Sequence, residues 1–211
     1  MYKTYIFDLD GTLLDTLSDL AAAVNYALRT HGMPEHSIDD VRRFVGNGVR
    51  KLMERAIPDG AANPQFDETF ATFRQYYMAH SLDTTRPYEG IPEALAALKA
   101  RGCRLAVVSN KMMAATQELC QHFFPDTIEV AIGENEAEGI RKKPAPDTVF
   151  AALKALGVGK EGAVYVGDSD VDIETARNSG LPCISVLWGF RDRDFLIQHG
   201  AKTFISDPGN L

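Results

Sequence analysis

Short apolar runs alternate with helix-period stretches along most of this 211-residue chain, and that alternation constrains the fold more than any other feature. Residues 4–7, 104–108, 127–132, 163–166 and 183–187 read as strands, with 203–205 a short sixth. Residues 92–101, 112–123, 147–156, 171–178 and 191–199 read as the intervening helices. Strands this uniformly apolar are buried on both faces, and strands joined through helices pair in parallel. The expected architecture is α/β, a Rossmann-like parallel sheet core with helices on both faces.

One segment breaks the rhythm. Residues 16–86 hold no strand-like run and carry helical patterns at 17–29, 37–44, 49–56 and 66–80. Ser37 followed by Asp40 marks a capped helix start. The reading is an inserted α-helical cap subdomain at 16–86, dividing an α/β catalytic core into 1–15 and 87–211. It leaves the core just after the first strand, where a lid would cover whatever the strand end does.

That strand ends on acids: Asp8-Leu9-Asp10-Gly11-Thr12-Leu13-Leu14-Asp15. Side chains alternate in an extended chain, so Asp8 and Asp10 start on one face. Carboxylates that close repel, and partial burial removes their hydration. A second cluster, Gly167-Asp168-Ser169-Asp170-Val171-Asp172, follows the 163–166 strand. A parallel sheet brings the carboxyl ends of its strands to one edge, where ligands bind, so the clusters are expected to meet. Converging carboxylates with no arginine beside them suit a hard divalent cation, and Mg²⁺ takes a few carboxylates plus waters and phosphate oxygens. Gly11 permits a tight turn whose N–H groups face an anion. Ser109-Asn110 ends another strand with groups that hydrogen-bond an oxyanion, and Lys142-Lys143-Pro144-Ala145-Pro146 holds a cation in a proline-stiffened loop. Metal, hydroxyl and lysine together describe phosphoryl transfer.

Composition narrows the partners. The net charge is −7, which disfavours nucleic acid and anionic membranes as binding surfaces. The three cysteines, Cys103, Cys120 and Cys183, are scattered and read as reduced, packed thiols. No apolar stretch reaches the length of a membrane span, and the first residues do not resemble a signal peptide. The expectation is a cytoplasmic protein, monomer or homodimer, that binds a small phosphorylated metabolite.

The four segments carry a family resemblance. Asp8–Asp15, Ser109-Asn110, Lys143-Pro144 and Gly167–Asp172 resemble, in order, the four motifs of the haloacid dehalogenase superfamily of phosphatases, and the helical insert resembles its cap. Gly46-Asn47-Gly48, Lys142-Lys143-Pro144 and Trp188-Gly189-Phe190-Arg191 look most like the phosphoglycolate phosphatase group. The resemblance implies that Asp8 attacks phosphorus and forms an aspartyl-phosphate, and that Asp10 is general acid and then general base. It implies Mg²⁺ held by Asp8, the Asp10 carbonyl and Asp168, with Asp172 one layer behind. Ser109, the Asn110 N–H and Lys143 would bind the phosphoryl oxygens, and Thr12 would orient the site. The implied substrate is a small phosphate monoester, 2-phosphoglycolate first.

Other readings compete. Asp-x-Asp at a strand end is often a plain turn. An EF-hand needs glycine at loop position six and glutamate at twelve, and both clusters fail, with Leu13 and Asp19 or Ile173 and Ser179 there. Gly157-Val158-Gly159-Lys160-Glu161-Gly162 fits a dinucleotide pattern but follows a helix, the wrong context. A phosphosugar mutase or pyrophosphatase of the same fold would use the same acids. A receiver-like phosphoacceptor switch shares the chemistry but has no helical insert.

Overall fold

The structure, a computed structural model, describes residues 2–211. Its strands are β1 (Thr4–Phe7), β2 (Leu14–Asp15), β3 (Arg86–Pro87), β4 (Arg104–Met112), β5 (Val130–Glu134), β6 (Ala163–Gly167), β7 (Cys183–Val186) and β8 (Phe204–Ile205). Six form one sheet in the order β5-β4-β1-β6-β7-β8, and its ladders are parallel. Chain order reverses between β1 and β6, the kind of switch point where parallel sheets open a crevice at their carboxyl ends.

Strand alternation explains the two faces. Tyr5 and Phe7 of β1, with Leu105, Val107, Val164 and Val166, pack on one side against α5 (Ile91–Ala100) and α6 (Met113–Phe123). Ile6, Ala106, Val108 and Tyr165 pack on the other against α7 (Asp147–Leu156) and α8 (Asp170–Ser179). Each such fully buried aliphatic or aromatic side chain stabilises by roughly 1.5–3 kcal/mol. Phe7 sits beside Val107 and Val166 in register, so β1 and β6 end within a residue of one another while β4 runs on.

The chain divides into two units, Met1–Leu14 with Pro87–Leu211, and Asp15–Arg86. The second is helical: α1 (Leu17–Thr30), α2 (Ile38–Phe44), α3 (Val49–Ala56) and α4 (Phe66–His80). Within it α1 packs on α4, with Tyr26 and Tyr76 stacked at 4.1 Å. Ser37 caps α2 reciprocally with Asp40. Buried Asp19 of α1 accepts from the N–H and hydroxyl groups of both Thr84 and Thr85, fastening the far end of the segment to its beginning.

Several boundaries differ from expectation. β2 and β3 pair as a two-residue ribbon, too short to leave a periodic signal. Asp15 groups with the helical unit. β5 starts at Val130, and Glu129 just before it pairs with Lys99 and Arg104. β4 runs past Val108 to Met112, with a register break against β5. Among the described residues no helix is long and apolar enough to cross a membrane.

Candidate active site

Asp8 follows β1 and Asp168 follows β6, on either side of the switch point. Carboxylate oxygens of Asp8, Asp168 and Asp172 lie within 4.8 Å of one another, and all three residues are buried. The two acid clusters therefore converge. Lys143 is the counter-charge. Its Nζ lies 2.8 Å from Asp8 Oδ1 and 2.8 Å from Asp172 Oδ1, with its side chain only 2% exposed. It also donates to the Tyr165 hydroxyl at 3.0 Å, and that hydroxyl donates to Asp172 Oδ1 at 2.8 Å.

Asp172 is occupied on both oxygens. Oδ1 takes Lys143 and Tyr165, and Oδ2 accepts from the Ser169 N–H at 3.1 Å and Ser169 hydroxyl at 2.6 Å. Ser169 and Asp172 form the capping box of α8, so the helix start and the lysine anchor are one structure. Asn110 fixes the lysine from its backbone side. Its Oδ1 accepts from the Lys143 N–H at 2.7 Å and its Nδ2 donates to the Lys143 carbonyl at 3.0 Å.

Asp168 sits in a separate cradle. Thr12 Oγ1 donates to Oδ1 at 3.1 Å, and the Phe190 N–H donates to Oδ2 at 2.7 Å. The Trp188 indole N–H donates to the Thr12 carbonyl at 3.0 Å. Gly11 and Gly189 press against the carboxylate so closely that a Cβ on either would overlap it. Gly11 also has φ +85°, which favours glycine.

Ser109, Asn110 and Lys111 occupy the register break in β4, where the extra residues re-aim side chains. Ser109 is buried, and its Oγ accepts from the Lys111 N–H at 3.2 Å. Lys111 is also buried, and its Nζ lies 3.3 Å from Asp10 Oδ1. Asp10 Oδ1 is buried and meets Lys111 as an ion pair, without hydrogen-bond alignment.

Burial and the neighbouring Asp172 push the Asp168 carboxyl up to about 7. Burial and Asp172 also hold Asp8 well above the carboxylate range, with Lys143 opposing. Burial would raise Asp172 too, but Lys143 and its hydrogen-bond donors outweigh that and lower it. Burial works against the Lys143 ammonium, yet Asp172 and Asp8 keep it firmly protonated. Three buried carboxylates thus face one ammonium, an imbalance a divalent cation would correct. The donors are hard oxygens, which fits Mg²⁺. Asp8 and Asp168 would hold it, since each Asp172 oxygen already takes two donors whereas each Asp168 oxygen takes one.

Comparisons with known proteins identify the family. The family model described as haloacid dehalogenase-like hydrolase matches residues 5–186. This chain belongs to that family. A phosphoglycolate phosphatase from Aquifex aeolicus is 36% identical, aligning 89% of this chain with 86% of its own. An N-acetylmuramic acid 6-phosphate phosphatase from Pseudomonas aeruginosa is 30% identical over 99% of this chain and 92% of its own. A crystal structure from Lactobacillus delbrueckii subsp. bulgaricus, provisionally named a phosphoglycolate phosphatase, superimposes with TM-score 0.94 at 38% identity, covering 99% of this chain and 96% of its own.

In this haloacid dehalogenase-like hydrolase the expected residues come together as two adjacent groups, Lys143 with Asp8, Asn110 and Asp172, and Asp168 with Thr12, their carboxylates within 4.8 Å of one another. Asp10 and Ser109 are both in contact with Lys111, Asp10 with its ammonium and Ser109 with its backbone N–H. Sequence reasoning missed Lys111, Tyr165 and the Phe190 N–H. Tyr165 carried a usable signal, a phenol inside an otherwise apolar strand that must find a polar partner. The Ser169-to-Asp172 spacing likewise spelled a capping box.

Proposed function

We propose that the protein is a Mg²⁺-dependent phosphatase that hydrolyses a small phosphate monoester through an aspartyl-phosphate on Asp8. The observation that carries this is the pairing at the switch point: Asp8 pinned by a buried lysine, with Asp168 beside it in its own cradle. A carboxylate fixed by Leu9 N–H and Lys143 on Oδ1 keeps a defined attack direction.

In the first step an Asp8 oxygen bonds to phosphorus while the ester P–O bond breaks. Asp10 gives its proton to the departing alkoxide, so the product leaves as alcohol. In the second step water attacks phosphorus, Asp10 takes its proton, and the Asp8–phosphorus electron pair returns to the carboxylate. Lys143, the Ser109 hydroxyl and the Asn110 N–H stabilise charge on the phosphoryl oxygens. Asp8, Asp168 and the Asp10 carbonyl would hold Mg²⁺, which would supply positive charge beside the phosphoryl oxygens.

The substrate reading is a phosphorylated carboxylic acid, with 2-phosphoglycolate first. The two named relatives act on phosphoglycolate and N-acetylmuramic acid 6-phosphate, and both compounds join a phosphate ester to a carboxyl group. We place the enzyme in the cytoplasm as a monomer or homodimer. The test is phosphate release from 2-phosphoglycolate, sugar phosphates, nucleotides and pyrophosphate, with Mg²⁺ or chelator, beside Asp8→Asn. Turnover that requires Mg²⁺ and vanishes in Asp8→Asn is expected. A folded, metal-supplied protein that releases phosphate from none of them refutes the reading.

A further inference from the structure

We infer that Lys111 is the positioning residue for Asp10: its ammonium holds Oδ1 and so presents Oδ2 to the ester oxygen. The inference rests on the phosphatase reading and goes beyond it, because no motif of the resemblance includes Lys111.

A lysine just past a run of small polar residues ordinarily extends into water. This one does not. Its side chain is 3% exposed, and its Nζ meets Asp10 Oδ1 at 3.3 Å. Burying an ammonium is costly unless a charge compensates it. Its backbone is fixed as well. The Lys111 N–H donates to Ser109 Oγ at 3.2 Å, and the Lys111 carbonyl accepts from Thr116 Oγ1 at 3.3 Å. Gly133 of β5 packs against that carbonyl with no room for a Cβ. The register break in β4 sets this residue's direction.

Each acid of the Asp8-Leu9-Asp10 strand end thus has its own buried lysine. Lys143 serves Asp8, and Lys111 serves Asp10. The duties differ. Asp8 makes a bond to phosphorus. Asp10 moves a proton to the ester oxygen as the P–O electron pair arrives there, and later takes one from water. A proton carrier on a short, otherwise rotatable side chain must be held to a fraction of an ångström. With Oδ1 held by Lys111, Oδ2 is the oxygen that exchanges the proton.

The test separates leaving groups. Aspartyl-phosphate formation is followed by rapid quench with 2-phosphoglycolate, glycerol phosphate and p-nitrophenyl phosphate, in wild type, Lys111→Met, Lys111→Arg, Asp10→Asn and Asp10→Asn/Lys111→Met. p-Nitrophenolate leaves without a proton, whereas the two alkoxides need one. Lys111→Met is expected to slow phosphorylation from both alkyl esters about tenfold to a hundredfold with little change in KM. It should leave the p-nitrophenol burst nearly intact. Lys111→Arg should recover most of the loss, and the double variant should be no slower than Asp10→Asn alone. Lys111→Gln replaces Lys111→Met if circular dichroism shows the latter unfolded.

Equal loss on all three esters overturns the inference. So does a KM effect confined to 2-phosphoglycolate, which would make Lys111 a carboxylate anchor, or a further loss on top of Asp10→Asn. If wild type forms no phospho-enzyme from any ester, the phosphatase reading itself falls. An active wild type with an unselective Lys111→Met removes only this inference.

Discussion

Removing the cation should make the fold lose stability as pH rises, and Asp168 gives the size of one part of the effect, to which Asp8, also held high by burial and Asp172, adds. Its carboxyl is pushed from an ordinary 3.8 to about 7 by burial and by Asp172. That is about a thousandfold in proton affinity, or ~4 kcal/mol. The sign follows from proton counting. Between about pH 4 and pH 7 the unfolded chain has released this proton while the folded, metal-free chain still holds it. Unfolding then releases a proton, so stability falls with rising pH at up to ~1.4 kcal/mol per pH unit. Above about 7 the carboxylate is charged in both states and the whole penalty is present. Mg²⁺ bound at Asp8 and Asp168 would relieve it, because the cation favours the charged form.

The stabilisation given by saturating Mg²⁺ should therefore grow from about pH 5 to about pH 8 by as much as ~4 kcal/mol. For a chain of this size that is roughly 8–16 °C in Tm. The assay is thermal unfolding across that pH range with Mg²⁺ or chelator, read by circular dichroism. Asp168→Asn, which carries no charge to relieve, should lose the Asp168 share of the pH-dependent part and keep that of Asp8. A Mg²⁺ shift that is equal at both ends of the range would refute the reasoning, as would a pH-dependent shift that is undiminished in Asp168→Asn.

Tyr165→Phe removes the hydroxyl between Lys143 and Asp172 but leaves the ion pair, so it should cost ~1 kcal/mol in urea unfolding and lower kcat by up to about tenfold. Asp19→Ala strands the Thr84 and Thr85 N–H groups and should destabilise by about 2–4 kcal/mol, measured by chemical denaturation. Burial opposes the Asp19 charge, but hydrogen bonds from Thr84 and Thr85 outweigh it and depress the carboxyl. Its contribution is thus present above the unfolded value near ~3.9 and is lost as pH falls through the folded value, a loss Asp19→Asn should not show in acid titration of stability. Gly189→Ala places a Cβ against Asp168 and the Gly11 carbonyl, so it should abolish the Mg²⁺-dependent Tm shift while the far-ultraviolet spectrum persists.

What the sequence reveals and what it hides have the same physical origin. β1, α3, α4 and α7 are legible to the residue because apolar period and end signals agree there. The acid clusters are legible because charge at the end of an apolar strand has a cost that demands a reason. Lys143 could be chosen over Lys142 only by its place beside Pro144; in the folded chain Lys143 is buried and Lys142 is partly exposed. Lys111 is different in kind. Nothing near it marks a buried lysine, because its burial is produced by the mismatch between β4 and β5, where Val108 pairs with Ile132 and Met112 with Glu134. Four residues on one strand are set against two on the other, a relation between strands that no single segment encodes.

The same contrast separates the two lysines by how they can fail. Lys143 is held by partners from three places, Asp8 after β1, Tyr165 in β6 and Asp172 in α8, while Asn110 clamps its backbone. Loss of one partner leaves the others, which is why Tyr165→Phe should be mild. The Asp10 contact depends on a lysine whose direction is set by one irregularity in β4. A change at Gly133 would press on that irregularity directly, since a Cβ there meets the Lys111 carbonyl and the Met113 backbone. Gly133→Ala should therefore resemble Lys111→Met in its leaving-group dependence, although it touches neither acid and alters no charge. If Gly133→Ala instead slows alkyl and p-nitrophenyl esters alike, the register break is only a structural feature and does not set the direction of Lys111.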